Sequence, residues 1–206
     1  MYVPEAFAVT DRDLLAEVMR DFPFATLVTG GAVPAATHLP LIFEPNHSPF
    51  GKLKGHLARA NPQWRCFAEG TEALVIFHGP HAFVSPRWYA HHPAVPTWNY
   101  VAVHAYGRAS VIPGGPELAN LVDELTARFE GGAGPDVADS EPAYRDRMLN
   151  GIVGFEIAIT RLEGKFKLSQ NRPPEDVAGV IAALGSSADP GDRQTAEWMR
   201  RFSQGR

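Results

Sequence analysis

The sequence has a single cysteine, Cys66, among 206 residues. No intramolecular disulfide can therefore form, and a thiolate-rich metal site is excluded. No segment approaches the roughly 20 consecutive apolar residues that cross a bilayer as a helix, so no membrane association is expected. The opening Met-Tyr-Val-Pro-Glu lacks a basic stretch followed by an apolar one. No signal peptide is expected on that ground, and a cytoplasmic location follows as an expectation. An excess of positive charge is also missing, since the formal net charge is −4 and the isoelectric point is about 6.0. That balance argues against a protein that holds nucleic acid through its whole surface, because such binding neutralises many phosphates. A local basic patch stays open. Familiar catalytic signatures are absent too: there is no G-x-S-x-G elbow, no phosphate-binding G-x-x-x-x-G-K and no G-x-G-x-x-G after a strand.

What is present is the composition of a globular chain, 45% hydrophobic and 20% charged, long enough to bury a substantial core. Thr10-Asp11-Arg12-Asp13 reads as a capping-box-like helix start with Thr10 as the cap, followed by Leu14, Leu15 and Val18 on one helical face. Residues 24–29 and 33–43 then read as a β-hairpin around Gly30-Gly31, a pair expected to supply positive φ. A third strand is expected over Gly51–Ala58. Asn61-Pro62 caps a short helix, with proline where its missing N–H costs nothing. Glu72–His78 and His81–Ser85 read as a second hairpin around Gly79-Pro80, and Thr97–Ile112 as a long strand. Leu118, Leu121, Val122, Leu125 and Phe129 fall at helical spacing. A flexible loop is expected over Gly131–Pro142, and a strong strand over Ile152–Ile159. Two C-terminal helices close the chain, one on Val177, Val180, Ile181 and Leu184, the other on Thr195, Trp198, Met199 and Phe202. The expected fold is mainly β with helices (α+β), a small antiparallel barrel, in a single domain over residues 1–206 with a helical extension from about 173.

Polar and aromatic residues concentrate in four places: Ala36–Pro40; Gly55-His56 with Asn61–Arg65; Ser85–Tyr89 with Val95–Tyr100; and Lys167–Arg172. Three of the four tryptophans lie in them. The blocks A-T-H-L-P, G-H-x-A-x-x-N-P-Q-W, H-G-P-H-A-F-x-S-P-x-W-Y, V-P-T-W-N-Y and G-I-V-G-F…K-L-S-Q-N-R occur in this order from Met1 to about Arg172. In that combination the chain resembles the PaiB-type family of FMN-binding negative transcriptional regulators. The resemblance implies an antiparallel split β-barrel of the FMN-binding type, acting as a homodimer with the flavin in the groove between subunits.

The residues themselves supply a matching kit. FMN needs cations and hydroxyls for its phosphate, a flat surface for the isoalloxazine, and donors or acceptors at the pyrimidine edge. Thr37 and His38 offer a hydroxyl and an imidazole; Lys54 and His56 share parity on the next strand. Trp88, Trp98 and Tyr100 offer aromatic faces, and Asn99 an amide for the ring edge. Lys167, Ser169, Gln170, Asn171 and Arg172 gather donors near a strand end.

Plainer readings stand beside these. Thr37 and His38 also suit the polar face of a strand, and His56 the anchor of a loop. Asn61-Pro62 is explained by capping alone. Trp64, Trp88 and Tyr89 suit core or subunit packing. Lys167 and Arg172 also read as solvated charges. Trp98 and Asn99 are the stronger site candidates, because an unpartnered Asn within an aromatic strand is costly. His78, His81, His91 and His92 lack the helical spacing and neighbouring carboxylates of a metal shell, so no metal is expected. Three functions follow: a flavin-binding regulator or sensor, an FMN-dependent oxidoreductase using NAD(P)H, and a haem-binding split barrel. No helix-turn-helix signature supports direct DNA binding. The basic cluster Arg193, Arg200, Arg201 and Arg206 shares its segment with Asp192 and Glu197, as a solvated helix face does.

Overall fold

The computed structural model describes residues 1–46, 49–131 and 141–203. Among the described residues eight strands and five α-helices follow in the order β1 (Ala8–Val9), α1 (Arg12–Asp21), β2 (Phe24–Thr29), β3 (Ala35–Pro40), β4 (Ile42–Glu44), β5 (Lys52–Ala58), β6 (Glu72–Val84), β7 (Thr97–Val111), α2 (Pro116–Glu130), α3 (Pro142–Asn150), β8 (Ile152–Lys167), α4 (Pro174–Gly185) and α5 (Pro190–Ser203). The strands form one sheet in the order β3-β2-β6-β7-β8-β5-β4, with β1 paired on β8. Antiparallel ladders join β2 to β3 and β6, β5 to β4 and β8, and β1 to β8. This is the antiparallel α+β class that the sequence implies. Among the described residues no helix is long and apolar enough to cross a membrane.

The chain divides into two compact units. One comprises Met1–Val18, His78–Val103 and Glu163–Arg206; the other comprises Met19–Phe77 and His104–Leu162. In the first, α4 and α5 are amphipathic and bury Val180, Leu184, Trp198 and Met199. Phe166 of β8 meets Trp198 and Phe202 edge-on, with ring centroids 5.6 and 5.3 Å away, the favoured arrangement of aromatic quadrupoles. In the second, Leu118, Leu121 and Leu125 place one apolar face of α2 against Ile42, Ile112, Leu149 and Ile152.

Several local expectations are corrected. Asp11 caps α1, not Thr10: its carboxylate accepts from the N–H groups of Asp13 (2.9 Å) and Leu14 (3.3 Å). A carboxylate there also complements the positive end of the helix. The hairpin of β2 and β3 forms in the register Thr29↔Ala35, but neither Gly30 nor Gly31 has positive φ. The run expected to continue to Phe43 breaks at Leu41, whose N–H donates to Pro23 O at 3.0 Å, and Ile42–Glu44 pairs with β5 instead. Gly79-Pro80 makes no turn, because β6 runs through both residues without interruption. Gly79 is required there for close approach, since a Cβ would sit 2.9 Å from Val101 Cβ. Pro80 lies beyond the last β6 rung to β2, at Ile76, where a missing N–H is tolerated. The sequence reading misses α3, a polar helix with no buried residue and hence no periodic stripe. It also ends β8 eight residues early, since the strand continues to Lys167. The loop expected over 131–142 falls mostly on residues 132–140, outside the described residues.

Candidate functional site

The predicted site residues divide between the two units. The first unit holds Trp88, Trp98, Asn99, Tyr100, Lys167, Ser169, Gln170, Asn171 and Arg172; the second holds Thr37, His38, Lys54 and His56.

In the first unit, alternation along β7 separates two roles. Trp98 and Tyr100 face outward while Asn99 between them is fully buried. Trp98 is 53% exposed and meets Phe83 edge-on at 5.9 Å and His81 at 6.3 Å. Lys165 and Lys167 are two residues apart on β8 and so share a face. The Lys165 ammonium lies 5.5 Å from the Tyr100 ring and 5.4 Å from the Tyr2 ring. Lys167 donates to Thr97 Oγ1 and Trp98 O, both at 2.6 Å. Burial, then the like charges of Lys165 and Arg172, hold its ammonium below the usual lysine value. No carboxylate pairs with Lys165 or Lys167 among the described residues. Two neighbouring cations without a counter-charge, beside exposed aromatic rings, form a surface suited to an anionic aromatic ligand. Lys165 is not among the residues predicted from the sequence, although its parity with Lys167 on one strand is a signal for it.

The turn after β8 has mainly structural partners. Ser169 adopts the left-handed region, with φ 67°, and its hydroxyl is bonded to Asn99. The Gln170 amide turns inward, accepting from Leu168 N–H at 2.7 Å and donating to Phe166 O. Asn171 is exposed. The Arg172 guanidinium lies 4.5 Å over the Tyr89 ring. Trp88 ends a 3-10 turn, Pro86–Trp88, capped by the Ser85 hydroxyl. Its carbonyl faces Gly179 of α4 so closely that a Cβ there would lie 2.1 Å away.

In the second unit, Thr37, His38 and Lys54 each have a side-chain partner. Thr37 donates to Gln63 Oε1 (2.6 Å) and accepts from Asn61 Nδ2 (2.9 Å). Gln63 is almost fully buried and also reaches Leu27 O, Thr29 Oγ1 and Ala35 O. It anchors the 3-10 helix Pro62–Glu69, whose Asn61 cap forms as expected. Local spacing gives no sign of the role of Gln63, whose partners Leu27, Thr29, Ala35 and Thr37 lie 26 to 36 residues away. His38 is exposed, with Nδ1 2.9 Å from Thr26 Oγ1. Lys54 sits between Glu44 and Glu124. Burial pushes its ammonium down, but the bonds to Glu124 and Glu44 outweigh this and hold it above the usual lysine value. His56 has a buried Nδ1 with no hydrogen-bond partner, and burial lowers its pKa.

Comparison with known proteins identifies the family. The family model described as "Putative FMN-binding domain" matches residues 1–161. The Bacillus subtilis (strain 168) protein named "Protease synthase and sporulation protein PAI 2" is 40% identical, over 97% of this chain and 96% of that one. A protein of Aspergillus fumigatus is 30% identical over 96% of this chain and 97% of its own. The flavocytochrome Anf3 of Azotobacter vinelandii superposes with a TM-score of 0.66 at 15% identity, over 86% of this chain and 78% of that one. The FAD- and haem-binding protein of Mycobacterium smegmatis gives 0.61 at 21% identity, over 83% and 78%. At these identities the two structures speak to the fold, and they agree with the split barrel. The chain belongs to the FMN-binding domain family of PaiB type, and FMN is the cofactor which that membership assigns to it.

Proposed function

We propose that the chain is a flavin-dependent negative regulator or sensor, working in the cytoplasm as a homodimer with FMN held at the subunit boundary. The observation that carries this reading is the single face on which Lys165 and Lys167, with no carboxylate paired to them among the described residues, adjoin Trp98 and Tyr100. The two ammonium groups would hold the phosphate, and an anion there would offset the like charges that, after burial, lower the Lys167 ammonium. The rings of Trp98 and Tyr100 present flat surfaces for the isoalloxazine. Bound FMN supplies one- and two-electron redox chemistry. The rest of the chain's task is to bind and orient it and to shield one of its faces from water. A second copy would cover the exposed Phe83, Val95 and Trp98, since large apolar residues clustered on a surface mark interfaces.

The regulatory half rests on two supports. The Bacillus subtilis relative is named for protease synthase and sporulation, a process rather than a catalysed conversion. Two basic residues of α5 are occupied locally: Arg193 donates to the carbonyls of Ser187 and Ala188, and Arg201 pairs with Glu17. Arg206 lies outside the described residues. Regulation through a protein partner suits this better than direct phosphate neutralisation.

Titration of the purified protein with FMN, followed by flavin fluorescence and sedimentation, tests the reading. Saturable quenching at one FMN per chain in a dimer is expected, with roughly tenfold weaker binding in Lys167→Met. Steady-state NADPH oxidation no faster than with free FMN is expected of a regulator. Turnover above that rate overturns this reading in favour of an oxidoreductase, and a histidine-dependent Soret band on adding haem overturns it in favour of a haem protein.

A further inference from the structure

We propose that a cleft between α4 and α5, lined by none of Lys165, Lys167, Trp98 and Tyr100, is a second binding site that takes a small amphipathic monocarboxylate. The cleft has a volume of about 430 Å³, within the range of small-molecule sites. Val177 and Ile181 of α4 and Met199 and Phe202 of α5 form its walls, with Leu168 beside them. Among the described residues Arg172 is the one charged residue that lines it. Its guanidinium stacks on Tyr89 at 4.5 Å, its backbone N–H donates to Ser169 O at 3.0 Å, and no carboxylate pairs with it among the described residues. Gln170, also on the wall, has its amide turned to the Leu168 N–H and the Phe166 carbonyl. A ligand entering the cleft therefore meets apolar side chains along its length and one planar cation with open donors.

That combination selects its ligand class. The guanidinium fork matches a carboxylate in bidentate geometry, and stacking on Tyr89 fixes the plane of the fork before the ligand arrives. The apolar walls gain from covering a hydrocarbon body, and the volume suits a medium acyl chain or a single aryl ring. A neutral ligand of the same shape leaves the guanidinium unused. The site also has a route to the flavin face. Met199 lines the cleft and its Sδ lies 3.4 Å from Asn99 Nδ2, and Asn99 stands between Trp98 and Tyr100 in β7. A ligand that presses on Met199 bears on the strand that carries both rings.

The test uses the full-length, FMN-loaded protein titrated with sodium octanoate and, separately, octan-1-ol, read by calorimetry and by thermal melting. Octanoate is expected to bind saturably at one per chain and to raise the melting temperature. Arg172→Gln should weaken octanoate roughly tenfold to a hundredfold and leave octanol unchanged. Ile181→Trp and Val177→Trp, which fill the cleft from two positions, should each abolish octanoate binding while the flavin absorption band is retained. The second of these keeps the test decisive if the first fails to fold. Octanoate that does not bind the wild type at millimolar concentration overturns the proposal, as does octanoate that binds both Trp variants as well as the wild type. Retention of FMN is read from the visible band independently, so a failure of the flavin reading would not be mistaken for a failure of this one.

Discussion

Asn99 and Ser169 satisfy each other inside the first unit. Asn99 Nδ2 donates to Ser169 Oγ at 2.9 Å, and the same hydroxyl lies 3.3 Å from Asn99 Oδ1, positioned to donate back. Both residues are buried, so each is the other's substitute for water. The pair ties the start of β7 to the turn after β8. Ser169 holds the left-handed conformation there, at φ 67°, which a non-glycine residue adopts at a cost.

Asn99→Ala should therefore destabilise the protein by about 2–3 kcal/mol, through an orphaned hydroxyl and a small cavity. Ser169→Ala should cost about as much by orphaning the amide. Ser169→Gly should cost less than Ser169→Ala, because glycine relieves the backbone while losing the same bond. Urea midpoints of the three variants check the order; equal losses for alanine and glycine at 169 would show that the backbone there is unstrained.

Gly179 and Gly30 make a contrasting pair. An added Cβ at Gly179 would lie 2.1 Å from the Trp88 carbonyl oxygen, whereas nothing lies within 4 Å of one at Gly30. Gly179→Ala should push α4 away from the Pro86–Trp88 turn at a cost of about 2 kcal/mol or more. Gly30→Ala should shift stability by less than about 0.5 kcal/mol in either direction. Thermal melts of the two variants, side by side, distinguish close packing from general intolerance of alanine.

The Lys54 ammonium, held between Glu44 and Glu124, has a folded-state pKa above its unfolded value. Its contribution is therefore fully present below the unfolded value of about 10.4 and is lost as pH rises through the higher folded one. Lys54→Met should cost roughly 1–2 kcal/mol at neutral pH, with the exposure of Glu124 limiting the size. The gap between wild type and variant should narrow above about pH 10. A gap that stays constant to pH 11 in thermal melts would assign the loss to packing of the lysine stem.

How far the sequence reveals this molecule depends on the range of the interaction concerned. The hairpin of β2 and β3, the Asn61 cap and the two C-terminal helices are set by neighbours a few residues apart, and all are readable. Gly79-Pro80 misleads because the dipeptide resembles a turn, while its cause is the approach of Val101 from another strand. Asn99 shows the same limit at the candidate site. The argument that an Asn in an aromatic strand must have a partner is sound, but the partner is a serine 70 residues away and leaves no trace in local spacing. Asn99 Nδ2 is bonded to Ser169, and the rings on either side of it face outward. Lys165 was within reach of sequence reasoning through its i, i+2 relation to Lys167. Local spacing does not reveal that, among the described residues, no carboxylate pairs with either.

Asp176 offers the sharpest pH test. Its side chain is fully buried in the first turn of α4. Its Oδ1 accepts from the backbone N–H groups of Ala90 and His91, at 2.9 and 3.0 Å, and lies 3.0 Å from His91 Nδ1. Burial pushes the carboxyl up, but the bonds from His91 and Ala90 outweigh this and leave it below the usual aspartate value of 3.8. A folded pKa below the unfolded one means stability present above the unfolded value and lost as pH falls through the folded one. Asp176→Asn removes the charge that these donors require and turns a donor of its own toward them, so the variant should be clearly less stable at pH 7. Its deficit relative to wild type should shrink below about pH 4 as the native carboxylate protonates. Melting curves from pH 7 to pH 3 decide it: a deficit that stays unchanged across that range would mean that the Asp176 charge contributes nothing and that its shape alone holds residues 89–91 against α4.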